Sequence, residues 1–191
     1  MARDPHGCAP EKADVVLLLV DVINLFDFPR ASRLLHFALP AARRLRALKE
    51  RLKKKSVPAI YVNDNFGRWR SDFKKQVQDC IKSRSAGAEI ASLLLPEEDD
   101  YFVLKPKHSG FFSTALDVLL RYLGAKRLII AGFAADICVL FTANDAHMRD
   151  FDVIIPSDCV ASESTEAKRR ACQFMKRFAA AKICVSDRIR L

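Results

Sequence analysis

Residues 14–21 read DVVLLLVD, six apolar residues in an unbroken run between two aspartates. A strand with one wet face alternates polar and apolar residues. An unbroken run is the pattern of a strand buried on both faces, found mainly in parallel sheets covered by helices. PAIYVND (58–64), DYFVLK (100–105), KRLIIAG (126–132) and FDVIIPSD (151–158) repeat the form, and AKICVSD (181–187) supplies a sixth strand. Between them the spacing of apolar residues predicts helices over 32–54, 71–83, 88–95, 112–123, 137–149 and 163–179. Ser162 or Ser164 offers an N-cap for the last, and Gly124 a C-cap for the helix over 112–123. Strand and helix in alternation predict an α/β fold, with right-handed crossovers placing helices on both faces of a parallel sheet.

With 191 residues, half of them hydrophobic, the chain suits one sizeable core. Residues 1–13 read as a loosely ordered segment and 14–191 as a single domain. No apolar run approaches the roughly 18 residues of a membrane span, and MARDPHGCAPEKAD has no apolar stretch suited to a signal peptide, so a cytoplasmic protein is expected. The six cysteines (8, 80, 138, 159, 172, 184) form no CxxC pair, and the four histidines (6, 36, 108, 147) have no zinc-motif spacing. Free thiols are expected rather than a disulfide framework. The net charge of +9 gathers in RRLRALKERLKKK (43–55) and KRRACQFMKR (168–177), which read as solvated faces of amphipathic helices. No aromatic-interleaved basic motif points to nucleic acid.

In an open parallel sheet, ligands bind beyond the carboxyl ends of the strands. Asp21 ends the first strand, Asn63 and Asp64 the second, and Lys105 the third, while Cys138 opens the helix after the fourth. A carboxylate, an ammonium and a thiol thus arrive at one edge from separate segments. The combination suits nucleophilic catalysis: a helix N-terminus and Lys105 would lower the Cys138 pKa, and Asp21 would take the thiol proton. Amides at the start of the Cys138 helix could hold a developing oxyanion. Taken singly, Cys138 reads equally as a buried small hydrophobe, Asp21 as a turn cap and Lys105 as an exposed strand end. Cys159, after the fifth strand, reads as structural.

Three segments, LLLVDVINLF, VLKPKHSGFF and GFAADICVLFTANDA, resemble the isochorismatase-like cysteine hydrolases, a superfamily that includes nicotinamidases and other amidohydrolases. The resemblance runs from about residue 14 to 187. It implies a three-layer α/β/α sandwich around a six-stranded parallel sheet, with Asp21, Lys105 and Cys138 as the catalytic residues. It also implies a cis peptide between Phe133 and Ala134, with the Ala134 and Cys138 amides as the oxyanion hole. Ala135 stands where relatives often carry Thr. Nicotinamidases place a DxH and a further His after the second strand to bind a metal; here NDNFGRWRSDF puts Phe66 in place of the His.

The expectation is therefore a metal-independent hydrolase with no cofactor, acting on an amide, carbamoyl or ureido bond of a small molecule. Phe26, Asn65, Phe66, Trp69 and Phe111 are candidate pocket residues. A homo-oligomer, dimer or tetramer, is expected, with no nucleic-acid or membrane partner. The rival readings are hydrolysis of an isochorismate-type vinyl ether, and a non-catalytic binding module on the same fold.

Overall fold

The structure is a computed structural model that describes residues 12–66, 72–82 and 85–191. Of the N-terminal segment 1–13, residues 1–11 lie outside the described residues, and Ala13 is tied down by donating to the Leu123 carbonyl at 2.8 Å. In chain order the elements are β1 (Val15–Val20), α1 (Ala31–Lys53), β2 (Ala59–Asp64), α2 (Phe73–Lys82), α3 (Ala88–Leu93), β3 (Tyr101–Lys105) and α4 (Leu116–Leu123). There follow β4 (Arg127–Phe133), a π-helical turn (Ala135–Val139), α5 (Leu140–His147), β5 (Asp152–Pro156) and β6 (Val160–Ala161). The chain ends with α6 (Thr165–Phe178), β7 (Lys182–Cys184) and a 3-10 turn (Ser186–Arg188).

Every strand pairing is parallel, in the order β3-β2-β1-β4-β5-β7. The six expected strands form this path, and the two-residue β6 adds a seventh through Gly132↔Val160 and Phe133↔Ala161. β1 shows why its sequence lacks alternation. Leu17 and Leu19 pack into the core under α1, α2 and α3, while Val16, Leu18 and Val20 pack into the core under α4, α5 and α6. All five are fully buried. At roughly 1.5–3 kcal/mol for each fully buried aliphatic side chain, this one strand supplies a large part of the drive for three-layer assembly.

Two boundaries move for local reasons. The helix expected from residue 112 begins at Leu116, because Ser113 adopts a left-handed φ of 53° and Thr114 closes the preceding turn onto the Gly110 carbonyl. The helix expected from 137 begins as a π turn, in which the Val139 N–H reaches back five residues to the Ala134 carbonyl at 3.1 Å. The caps behave as expected: Ser164 Oγ accepts from Ala167 N–H, and Gly124 takes φ 74° after α4.

The first basic run is exposed at Arg43, Arg44, Arg46, Lys53, Lys54 and Lys55, as expected of a solvated face, and departs from that at Lys49. Lys49 is buried, 2.6 Å from Asp100 and 3.1 Å from Glu97, while Lys53 bonds Glu97 and Asp99. Arg43, Arg46 and Arg51 pair with Glu89, Glu50 and Asp187. Much of the first basic run therefore ties α1 to neighbouring elements.

Candidate active site

The strand order reverses direction at β1, since β2 lies on one side of it and β4 on the other. The carboxyl ends of β1 and β4 flank this switch point, where parallel sheets leave a crevice. Gly132 lets the two strands close up there: it takes φ 119°, and a Cβ would fall 2.0 Å from the Val20 carbonyl oxygen. Phe133–Ala134, the next peptide, is cis, as the resemblance implied.

Asp21 leaves β1 with a left-handed φ of 50°, a conformation that Asp tolerates better than most residues. Its N–H donates to the Val62 carbonyl at 3.0 Å and its Oδ1 accepts the Asp64 N–H at 2.7 Å, which fixes the carboxylate between β1 and β2. Lys105 is two residues on from Val103, so it points to the same sheet face, the one covered by α4, α5 and α6. There its Nζ, with the side chain wholly buried, lies 2.8 Å from Asp21 Oδ2 and 3.5 Å from Asp64 Oδ2. It donates to Cys138 Sγ at 3.7 Å. Thr142, one turn beyond Cys138, donates to the Cys138 carbonyl at 2.7 Å and accepts the Gly110 N–H at 3.0 Å. It thereby links the cysteine turn to the loop after Lys105.

The electrostatics correct one expectation. Burial, and then the neighbouring Asp21 charge, push the Cys138 thiol up; Lys105 opposes this without overcoming it. Burial also raises the Asp21 carboxyl, against the pull of Lys105 and of a hydrogen bond with the Cys138 thiol. Burial by itself would lower Lys105, but Asp21, Cys138 and Asp64 together raise it. Burial and the Asp21 charge thus favour the neutral thiol over a preformed thiolate.

Asp21 and Cys138 open into a cavity of about 550 Å³ whose apolar wall includes Phe28, Phe66, Phe133 and Ile137. Of the expected pocket residues, Phe66 lines this cavity and is 47% exposed. Phe26 is buried in the core under α1, and Phe111 is buried in the opposite core, stacked on Phe151. Asn65 is buried, with its N–H donating to the Lys105 carbonyl at 2.9 Å; none of these three lines the cavity. Trp69 lies outside the described residues. Arg30, Arg33, Asp136 and Glu163 also line the cavity and were not anticipated. A signal existed in PRASR (29–33): arginines in the first turn of a helix have the wrong sign for its dipole, which invites another explanation.

The segment after β2 does not fit a metal of the nicotinamidase kind. Phe66 offers no donor atom, and Asp64 is engaged by Lys105 and by the Phe66 N–H. Among the described residues no group of three or more His, Cys, Asp or Glu is arranged to hold an ion. Cys159 is fully buried, and its neighbour Asp158 accepts from the Ser186 N–H and Oγ, a latch between the β5–β6 turn and the 3-10 turn. Among the described residues no helix is long and apolar enough to cross a membrane.

This arrangement, a doubly covered parallel sheet with Asp, Lys and Cys at its switch point, agrees with the comparisons to known proteins. The isochorismatase domain matches residues 15–186, and the chain belongs to the isochorismatase family of hydrolases. It is 42% identical over 178 residues to the uncharacterized isochorismatase family protein YaaI of Bacillus subtilis (strain 168), covering 93% of this chain and 97% of that protein. Over 86 residues it is 34% identical to the ureidoacrylate amidohydrolase RutB of Enterobacter sp. (strain 638), covering 45% of this chain and 37% of that protein. The crystal structure of N-carbamoylsarcosine amidase from Thermoplasma acidophilum superposes with a TM-score of 0.73 at 28% identity, covering 94% of this chain and 100% of that one. The family resemblance carried by the three sequence segments is borne out.

Proposed function

We propose that the protein is a cysteine hydrolase that cleaves an amide, carbamoyl or ureido C–N bond of a small molecule without a metal. The observation that carries this reading is the placement of Lys105 Nζ 2.8 Å from Asp21 Oδ2 and 3.7 Å from Cys138 Sγ, beside a cavity of small-molecule size. Relatives named as ureidoacrylate amidohydrolase and N-carbamoylsarcosine amidase support the bond type.

In this mechanism Sγ attacks the carbonyl carbon as its proton passes to Asp21. A carboxyl raised by burial is the better base for that transfer, because its proton affinity lies closer to that of the thiol. The carbonyl oxygen gains the charge and is held by the Ala134 and Cys138 N–H groups. Collapse of the tetrahedral intermediate expels the amine, which takes the proton from Asp21, and leaves a thioester on Cys138. Asp21 then draws a proton from water as the water attacks; the acid departs and the thiol is restored. Lys105 keeps Asp21 in position and offsets the negative charge on the Asp21–Cys138 pair throughout. We place the enzyme in the cytoplasm, where its thiols stay reduced, acting as a homo-oligomer.

The test is ammonia release from a panel of small amides, carbamoyl and ureido compounds by wild type and Cys138→Ala, with mass spectrometry of the quenched wild-type enzyme. Turnover that requires Cys138, together with an adduct on the Cys138 peptide, supports the proposal. Full turnover by Cys138→Ala would exclude covalent catalysis by Cys138.

A further inference from the structure

The cavity beside Cys138 is lined by six charged side chains: Asp21, Asp64, Asp136, Glu163, Arg30 and Arg33. Their partners account for nearly all of them. Asp21 and Asp64 face Lys105 at 2.8 and 3.5 Å. Asp136 accepts a hydrogen bond from the buried Ser162 at 2.5 Å. Glu163 meets Arg30 at 3.5 Å, an open contact in which the arginine side chain stays 68% exposed. Arg33 has no ion-pair partner among the described residues. The cavity that holds the nucleophile therefore holds one uncommitted guanidinium and a second that is loosely engaged.

Both arginines come from the start of α1, where Arg30 is the N-cap and Arg33 lies in the first turn, with no acid there. The positive end of a 23-residue helix adds its field to theirs. A cation at this end of a helix costs stability, so an anion between the two guanidiniums would relieve repulsion as well as form hydrogen bonds. A guanidinium fork matches a carboxylate in particular, two parallel N–H groups to two oxygens. The apolar wall of Phe28, Leu34, Phe66 and Ile137 leaves the remaining length of a ligand without polar demands.

We propose that the substrate carries a carboxylate, bound by Arg33 with help from Arg30, at the end of the molecule remote from the bond that Cys138 attacks. The inference rests on the C–N hydrolase reading above and narrows it to small amide, carbamoyl or ureido acids.

The experiment uses matched probes with the same scissile group, succinamate against butyramide and N-carbamoylglycine against ethylurea. Ammonia release by wild type is expected to favour the acids by about ten- to a hundredfold in kcat/KM, the discrimination that a charged hydrogen-bonded pair gives. Arg33→Met is expected to collapse that ratio, mainly by raising KM for the acids, and Arg33→Lys to restore part of it. Arg44→Met, which removes an exposed arginine of α1 away from the cavity, controls for net charge and should leave the ratio unchanged. Equal turnover of acid and neutral probe, or a ratio indifferent to Arg33→Met, overturns the carboxylate subsite while leaving the amidase reading intact. If no probe is turned over, calorimetry on Cys138→Ala decides the subsite separately. Tighter binding of succinamate than butyramide, lost on adding Arg33→Met, upholds it, and equal or absent binding of both overturns it.

Discussion

Lys105 Nζ lies 2.8 Å from Asp21 Oδ2, with the lysine side chain wholly buried and the aspartate 9% exposed. Two charges this deep would each cost several kcal/mol if left alone, so neither residue is tolerable without the other. The pair also bears on Cys138, whose thiol is pushed up first by burial. Its negative member then adds to that upward push by more than its positive member offsets. Structural necessity and the proposed chemical role thus fall on the same two side chains, and they can be separated by experiment.

Lys105→Met leaves the Asp21 carboxylate buried without its cation. It is expected to lower folding stability by about 3–5 kcal/mol. Adding Asp21→Asn removes the stranded charge, so the double variant should be more stable than Lys105→Met alone, while remaining inactive. Urea unfolding of the wild type, both single variants and the double variant closes the cycle; strictly additive losses would show that the pair is not coupled.

Asp21→Asn separates the two properties of the thiol. The Asp21 charge helps to push Cys138 up and Lys105 opposes it, so the substitution should lower the thiol pKa and speed alkylation by iodoacetamide near neutral pH. Hydrolysis should fall by about 10²–10⁴-fold, because the proposed base is gone. In the wild type, kcat/KM should decline as pH falls through the raised pKa of Asp21, on the alkaline side of the ordinary carboxylate range. If alkylation slows together with turnover, Asp21 activates the thiol by a different route.

Asp21 and Lys105 were legible because burying a charge is costly: Asp21 ending LLLV and Lys105 ending YFVL needed partners, and the topology brought them, with Asp64, to one edge. The two-sided burial of DVVLLLVD was equally plain, since its missing alternation has few other causes. The pocket wall was harder to read. Phe26 and Phe111 are apolar residues near site segments, and composition cannot tell a cavity wall from a core; their orientation depends on turns such as the positive φ of 54° at Phe26. Arg30 and Arg33 were passed over because arginines near a helix start look like solvated surface until the cavity beside them is known. The thiol pKa was misjudged because proximity to Lys105 is visible in topology, whereas the desolvation that opposes it is a property of packing.

Lys49 provides a contrast far from Cys138. Its Nζ is 2.6 Å from Asp100 Oδ2, with the two side chains 8% and 6% exposed, just before β3 begins and thus at the opposite end of that strand from Lys105. Lys49→Met should cost about 3–5 kcal/mol in urea unfolding, by stranding Asp100, yet leave kcat within about twofold because no cavity residue is touched. A large loss of kcat in folded Lys49→Met would mean that α1 transmits strain to the arginines at its start.

Buried acidic protons set the alkaline limit of stability. Burial, aided by Asp79 and Asp27, pushes the Cys80 thiol up to about 11; burial and Asp158 push up Cys159, burial and Asp21 push up Cys138, and burial with Asp100 and Glu97 pushes up the Tyr61 hydroxyl. Each group holds its proton more tightly folded than unfolded. The stability this contributes is complete below the unfolded pKa, and is lost as pH rises through the folded one. Lys105, also raised, acts with the same sign. The urea midpoint should therefore fall from about pH 9 upward, where unfolded thiols begin to ionise while the folded ones do not. Cys159→Ala should make that decline shallower by removing one of the contributing thiols, even though it lowers the midpoint at neutral pH. A midpoint that holds or rises between about pH 9 and pH 11 would mean that these groups are far better solvated in the folded protein than their burial indicates.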